Sequence, residues 1–223
     1  MKIALHAGHN PDGKIGCGAV GYMKESTAAR EIVSLLFPLL DARNNICTDI
    51  TVNNGTSSAD VLQELAYSMN NKDFDLGISI HLNSSTNQSA NGVECYHWST
   101  NDDTKKLSGT ICSHLEKLGY RNRGAKANDT LYILRKVSCP VVLIECGFVS
   151  NQDDCQRFDA GKIARSIYDA LSEHFSWNQT FPEYAPDDAP LYRVQVGAFS
   201  KKENAINLKL KLKEQGFEAF ITT

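Results

Sequence analysis

Apolar and polar positions along this chain alternate between two periods. Residues 2–7 (KIALHA) form an apolar, strand-like run ending at Gly8, and the glycine-rich stretch from Asn10 to Gly21 reads as a loop. Over residues 26–42, Ala29, Ile32, Val33, Leu36, Leu39 and Leu40 recur every three or four positions, which predicts a helix with one buried face and a kink or early end at Pro38. Residues 46–52 alternate like a strand, and Ser57 with Asp60 caps a second helix carrying Val61, Leu62, Leu65 and Met69. The runs 74–82 (FDLGISIHL) and 141–144 (VVLI) are short, apolar and rich in β-branched residues, as strands covered on both faces are. Between them the pattern predicts a strand over 92–98 and a helix over 103–118, and a last helix over 160–175 places Ile163, Ile167, Ala170 and Leu171 on one face. Strands alternating with helices over about 175 residues predict an α/β, three-layer sandwich with a mainly parallel central sheet flanked by helices. The active site of such a sheet belongs at the C-terminal ends of its strands.

After residue 176 the texture changes. Residues 177–190 (WNQTFPEYAPDDAP) hold three prolines and three acids with no helical period, and read as a linker. Residues 191–223 then read as strand (LYRVQV), a helix opened by Ser200 with Glu203 and stopped by Gly216, and strand (FEAFIT). The expected organisation is therefore a domain over 1–176, a linker over 177–190 and a small C-terminal βαβ half-module over 191–223. At about 33 residues this half-module falls below the roughly 40 that usually suffice for an independent core.

Charge and cysteine usage narrow the classes. With 23 basic and 26 acidic residues the net charge is −3, so the broad electropositive footprint of a nucleic-acid binder is missing. That balance conceals a split of −6 before residue 191 and +3 after it. No apolar run approaches the roughly 20 residues that cross a bilayer, and the three apolar residues before His6 are too few for a secretory signal, so no membrane insertion and synthesis in the cytoplasm are expected. The seven cysteines are odd in number and include no C-x-x-C pair, unlike a disulfide framework or a cysteine zinc site, and read as reduced thiols.

Four polar residues stand where strands end or loops turn back: His9 after KIALHAG, Glu25 after the glycine-rich loop, His81 in LGISIHLN and Glu145 at the end of VVLIEC. Burying such groups is costly unless they are paired or bound to a metal. Their spacings, 16 and 56 residues between the first three, are no local zinc signature, so the residues alone leave a metal site and plain hydrogen bonding both open. Other candidates are weaker. Residues 16–21 match G-x-G-x-x-G with Asp41 beyond, but follow a loop rather than a strand. Cys146 alternates away from Glu145 and reads as a core cysteine, and His97, His114 and His174 read as solvated or packing residues on element surfaces.

The combination HAGHN, the glycine-rich loop closing on Glu25, SIHLNSS and PVVLIECGFVSN resembles the zinc-dependent N-acetylmuramoyl-L-alanine amidases of the amidase-3 group, over nearly all of residues 1–175. That resemblance implies His9, Glu25 and His81 as ligands of a Zn²⁺ cofactor and Glu145 as the catalytic glutamate, and assigns no substrate-binding residue. The sequence departs from the family at His6, where an acid is common, and at Asn10, where glycine is usual; both positions could alter support around the ligands. The tail, with R-V-Q-V-G-A-F-S, resembles the first half of the sporulation-related repeat (SPOR) domain, which binds peptidoglycan, and its missing half suggests a homodimer in which two tails complete one sheet.

The implied function is hydrolysis of bacterial peptidoglycan between N-acetylmuramic acid and L-alanine by a phage endolysin or a mother-cell autolysin, reaching the wall through a holin or cell lysis. The rival readings are a zinc peptidase cutting within the stem peptide and a noncatalytic wall-binding protein.

Overall fold

The computed structural model describes residues 1–42, 45–177, 196–214 and 221. In chain order the elements are β1 (Lys2–Ala7), α1 (Glu25–Asp41), β2 (Ile46–Asp49), α2 (Ser58–Asn70), β3 (Leu76–Asn83), β4 (Val93–His97), α3 (Asp102–Glu116), β5 (Asn122–Ala127), α4 (Tyr132–Lys136), β6 (Val141–Phe148), α5 (Gln152–Arg157), α6 (Ala160–His174) and α7 (Lys202–Glu214). The six strands form one sheet in the order β2-β1-β3-β6-β4-β5. Every adjacent pair is parallel except β4 with β6, so β2, β1, β3 and β6 run one way and the edge pair β4 and β5 runs the other. This is the α/β sandwich that the alternation of patterns predicts.

Strand alternation splits the core between the two faces. On one face Ile3, Leu5, Ile78, Ile80, Val142 and Ile144 pack with apolar residues of α1, α3 and α6. On the other, Ala4, Val141 and Leu143 pack with Val61, Leu65 and Met69 of α2 and Ile133 and Leu134 of α4. Because helices cover both faces, β1, β3 and β6 can be apolar throughout. Pro38 lies inside α1 without ending it: its missing N–H falls late in the helix, and Ala42 N still donates to Pro38 O. Ser57 caps α2 as expected, accepting from Asp60 N at 3.1 Å.

Three elements have no counterpart in the sequence reading: β5, α4 and α5. The strand β5 (NRGAKA) lies at the sheet edge and is only half-buried, so it needs no apolar alternation, and Gly124 at φ +83° breaks its period. The chain divides into two compact units, Met1–Gln179 and Thr180–Thr223. Of the C-terminal half-module the described part includes α7; the strands expected over 191–196 and 217–222, on which the tail pairing rests, fall almost wholly outside the described residues.

Candidate functional site

The parallel strands β1, β3 and β6 end at one edge of the sheet, and their last side chains on the α2/α4 face meet there. His81 and Glu145 are register partners across β3 and β6, while Gly8 N donates to Ile80 O and carries β1 directly into His9. Glu25 opens α1, and its carboxylate turns back under the loop that precedes the helix: Oε2 accepts from Ala19 N at 2.8 Å and Oε1 from Leu82 N at 3.3 Å. Two glycines make this convergence possible. A Cβ on Gly8 would stand 1.8 Å from the His81 ring, and one on Gly18, at φ +79°, would stand 2.6 Å from Glu25 Oε2. Arg30 of α1 fixes the far side, its guanidinium donating to His9 O at 2.6 Å and Val52 O at 2.8 Å.

The outcome is a compact donor cluster. Glu25 Oε1 lies 3.0 Å from His9 Nε2 and 3.2 Å from His81 Nδ1, and all three donor atoms fall within 4.8 Å of one another. The imidazoles stand edge to face with centroids 4.9 Å apart. Burial pushes the Glu25 carboxyl up, but hydrogen bonds from His81 and His9 outweigh it and hold the group well below the ordinary carboxylate range. Two imidazole nitrogens and an ionised carboxylate converging on one point are a donor set that could hold a divalent transition metal.

Glu145 is the opposite case. Burial first, then the neighbouring carboxylates of Glu25 and Glu94, push it up to about 8, and its Oε2 is buried with no hydrogen-bond partner among the described residues. It lines a cavity of about 360 Å³ together with His9, Glu25 and His81, walled by Leu62 of α2 and by Leu131 and Tyr132. A carboxyl that exchanges protons near neutral pH, beside a metal-competent cluster in one cleft, can move a proton to or from a reacting group.

All four residues singled out from the sequence thus come together. Cys146 is buried facing the other way, in the core with α3 and α6. Residues 16–21 lie in the loop and Asp41 accepts from Cys47 N, with no strand leading into the glycines. Of the two readings left for the other histidines, solvated or packing, packing holds. His97 is buried with Nδ1 2.9 Å from Trp98 O, His114 pairs with Glu173 at 2.8 Å, and His174 pairs with Asp103 at 3.1 Å, the latter two tying α3 to α6. Asn10 is fully buried and locks the glycine-rich loop to the chain after β2, donating to Ile15 O and Gly55 O and accepting from Gly55 N.

Two residues escaped the sequence reading. Glu94 on β4 lies opposite Glu145 and accepts from Asn83 Nδ2, Tyr96 Oη, Arg123 and Lys126. Ser79 is fully buried in the cavity wall. The signal for Ser79 was available, since it precedes His81 by two positions in a strand and so shares its face.

Comparison with known proteins gives two family matches: N-acetylmuramoyl-L-alanine amidase (Amidase_3) over residues 3–173 and the SPOR domain over residues 164–223. The chain is 25% identical over 227 residues to the N-acetylmuramoyl-L-alanine amidase CwlM of Bacillus licheniformis, covering 99% of this chain and 84% of that protein. It is 32% identical over 181 residues to the endolysin of Bacillus phage SPP1, covering 77% of this chain and 63% of the endolysin. Among solved structures, the CwlD amidase of Clostridioides difficile, determined in complex with the GerS lipoprotein, superposes with a TM-score of 0.71 at 26% identity over 78% of this chain and 98% of that one.

Proposed function

The chain belongs to the N-acetylmuramoyl-L-alanine amidase family and is a peptidoglycan hydrolase, and from that premise we propose that it cleaves the amide between N-acetylmuramic acid and L-alanine, with His9, Glu25 and His81 holding a zinc ion and Glu145 moving the proton. The observation that carries this reading is a buried, unpaired carboxyl, Glu145, in register beside His81 at a cluster of three convergent donors.

The donor set fits zinc: a His₂Glu set is the type that catalytic rather than structural sites use, because it leaves a coordination position open. Bound there, zinc would polarise the scissile carbonyl and ease deprotonation of the attacking water. This chain's own residues do the rest. Glu25, held by Ala19 N and Leu82 N, keeps its carboxylate aimed between the two imidazoles. Glu145 takes the proton from the attacking water as the C–O bond forms, and returns it to the amine nitrogen of L-alanine as the C–N bond breaks. Leu62, Leu131 and Tyr132 form the apolar wall of the cleft beside the cluster.

Digestion of purified peptidoglycan tests the reading. New L-alanine amino termini without new reducing sugar, abolished by a chelator and restored by zinc, are the expected products; D-amino-acid or cross-link amines would make the enzyme a peptidase, and no new ends at all would leave only a wall-binding protein.

We also assign residues 191–223 to wall binding and place the enzyme's action at the cell wall, reached through a holin or on lysis of the producing cell. The SPOR match, the net charge of +3 and the phage endolysin among the relatives support this. Deleting residues 191–223 is expected to weaken sedimentation with purified cell walls while leaving turnover of soluble fragments within about twofold; unchanged wall binding would contradict the assignment.

A further inference from the structure

Three buried polar atoms line or border one cavity, and each lacks a hydrogen-bond partner among the described residues: His6 Nε2, Ser79 Oγ and Glu145 Oε2. Buried polar atoms are nearly always paired, so three orphans in one place require an explanation. Their placement follows from strand register. His6 on β1 pairs with Ser79 on β3, Ser79 pairs with Leu143 on β6, and Glu145 follows Leu143 by two residues and so shares its face. Glu145 therefore stands one pleat, roughly 7 Å, further along the strand direction than Ser79, a gap that a serine hydroxyl is too short to close.

Hydrogen-bond chemistry says what fills that gap. His6 Nδ1 lies 3.3 Å from the carbonyl oxygen of Ala7, which can only accept, so the ring proton sits on Nδ1 and Nε2 is an acceptor. A carboxyl oxygen of Glu145 is also an acceptor. The Ser79 hydroxyl supplies one donor and cannot satisfy both. One water molecule completes the set, accepting from Ser79 Oγ and donating one proton to His6 Nε2 and the other to Glu145 Oε2; three polar partners are what a buried water typically has.

We propose that a bound water joins Ser79, His6 and Glu145 beneath the donor cluster, and that Ser79 and His6 are positioning residues that aim the Glu145 carboxyl at the scissile amide. This inference rests on the catalytic assignment of Glu145 above. It also gives His6 a role: its Nε2 accepts from the water and so anchors it between Ser79 and Glu145.

The test compares Ser79→Ala, His6→Leu and His6→Gln in the full chain, with zinc stoichiometry, kcat and KM on a soluble muropeptide, and a high-resolution crystal structure of the parent. Ser79→Ala and His6→Leu are each expected to lower kcat by roughly 10- to 100-fold with KM and zinc content unchanged. His6→Gln, whose amide reaches the place of Nε2, recovers most of that loss. The crystal structure shows one water within hydrogen-bonding distance of all three atoms. The melting temperature of each variant is measured alongside, and kcat is taken per folded, zinc-loaded chain, so that a fall in kcat is not a fall in folded protein. The inference is overturned if Ser79→Ala and His6→Leu both keep kcat within twofold of the parent, if their loss of turnover tracks loss of zinc, or if the space between the three atoms is dry. Glu145→Ala separates the two claims: an active Glu145→Ala enzyme refutes the catalytic assignment itself, whereas an inactive one beside fully active Ser79→Ala and His6→Leu enzymes refutes only the positioning role.

Discussion

Glu94 and Glu145 face each other across β4 and β6, and the sheet treats them in opposite ways. Around Glu94, burial pushes the carboxyl up, but hydrogen bonds from Lys126, Arg123 and Tyr96 outweigh it and hold the group below its ordinary range. Around Glu145 nothing compensates: burial and the charges of Glu25 and Glu94 push it up to about 8. Both are carboxylates on facing strands; the cations on β5 reach only one of them. Arg123 and Lys126 reach Glu94 and stop there, so the region beside the sheet edge is structurally satisfied while the neighbouring region at the cavity keeps an unpaired carboxyl. A satisfied group contributes to folding, and an unsatisfied one stores destabilisation that catalysis can draw on.

The comparison breaks most visibly at Glu94. Glu94→Gln leaves Arg123 and Lys126 without their counter-charge and is expected to cost about 3 kcal/mol of stability at pH 7, measured by urea unfolding. Because the folded Glu94 carboxyl titrates below its unfolded value of about 4.3, its contribution is present above that pH and lost as pH falls through the folded value. The cost of the substitution should therefore shrink in acid below about pH 4. A pH-independent cost would mean that packing, not charge, does the work at Glu94.

Glu145→Gln should have the reverse sign. A carboxyl raised to about 8 in the folded state penalises folding increasingly as pH rises from about 4.3 to about 8. In metal-free protein the substitution is expected to change stability little at pH 4 and to stabilise increasingly as pH rises towards 8. Equal melting temperatures of parent and variant across that range would show that Glu145 is better solvated than its burial implies.

Much of the frame was legible in the chain. The apolar runs of β1, β3 and β6 announce covered strands, and the residues at their ends, His9, His81 and Glu145, are polar where a buried strand has no other reason to be. What stayed hidden depends on pairing between distant segments. The strand β5 has no apolar period because it lies at an edge, and without it neither the neutralisation of Glu94 nor the contrast with Glu145 could be foreseen. The reversed direction of β4 is likewise a matter of pairing, and it is what brings Glu94 opposite Glu145. The hydrogen bonds of His114 with Glu173 and of His174 with Asp103 join two helices some 60 to 70 residues apart in sequence, a separation over which composition and period carry no information.

The central claim is that the three convergent donors hold the metal while the unpaired carboxyl beside them moves the proton. The most direct measurement is turnover of peptidoglycan by Glu145→Gln at a known zinc content. Zinc bound at one ion per chain, with release of L-alanine amino termini slowed by at least about 100-fold, is the result expected for a lost general base. A zinc-loaded Glu145→Gln enzyme that releases those termini at the parent rate would contradict it.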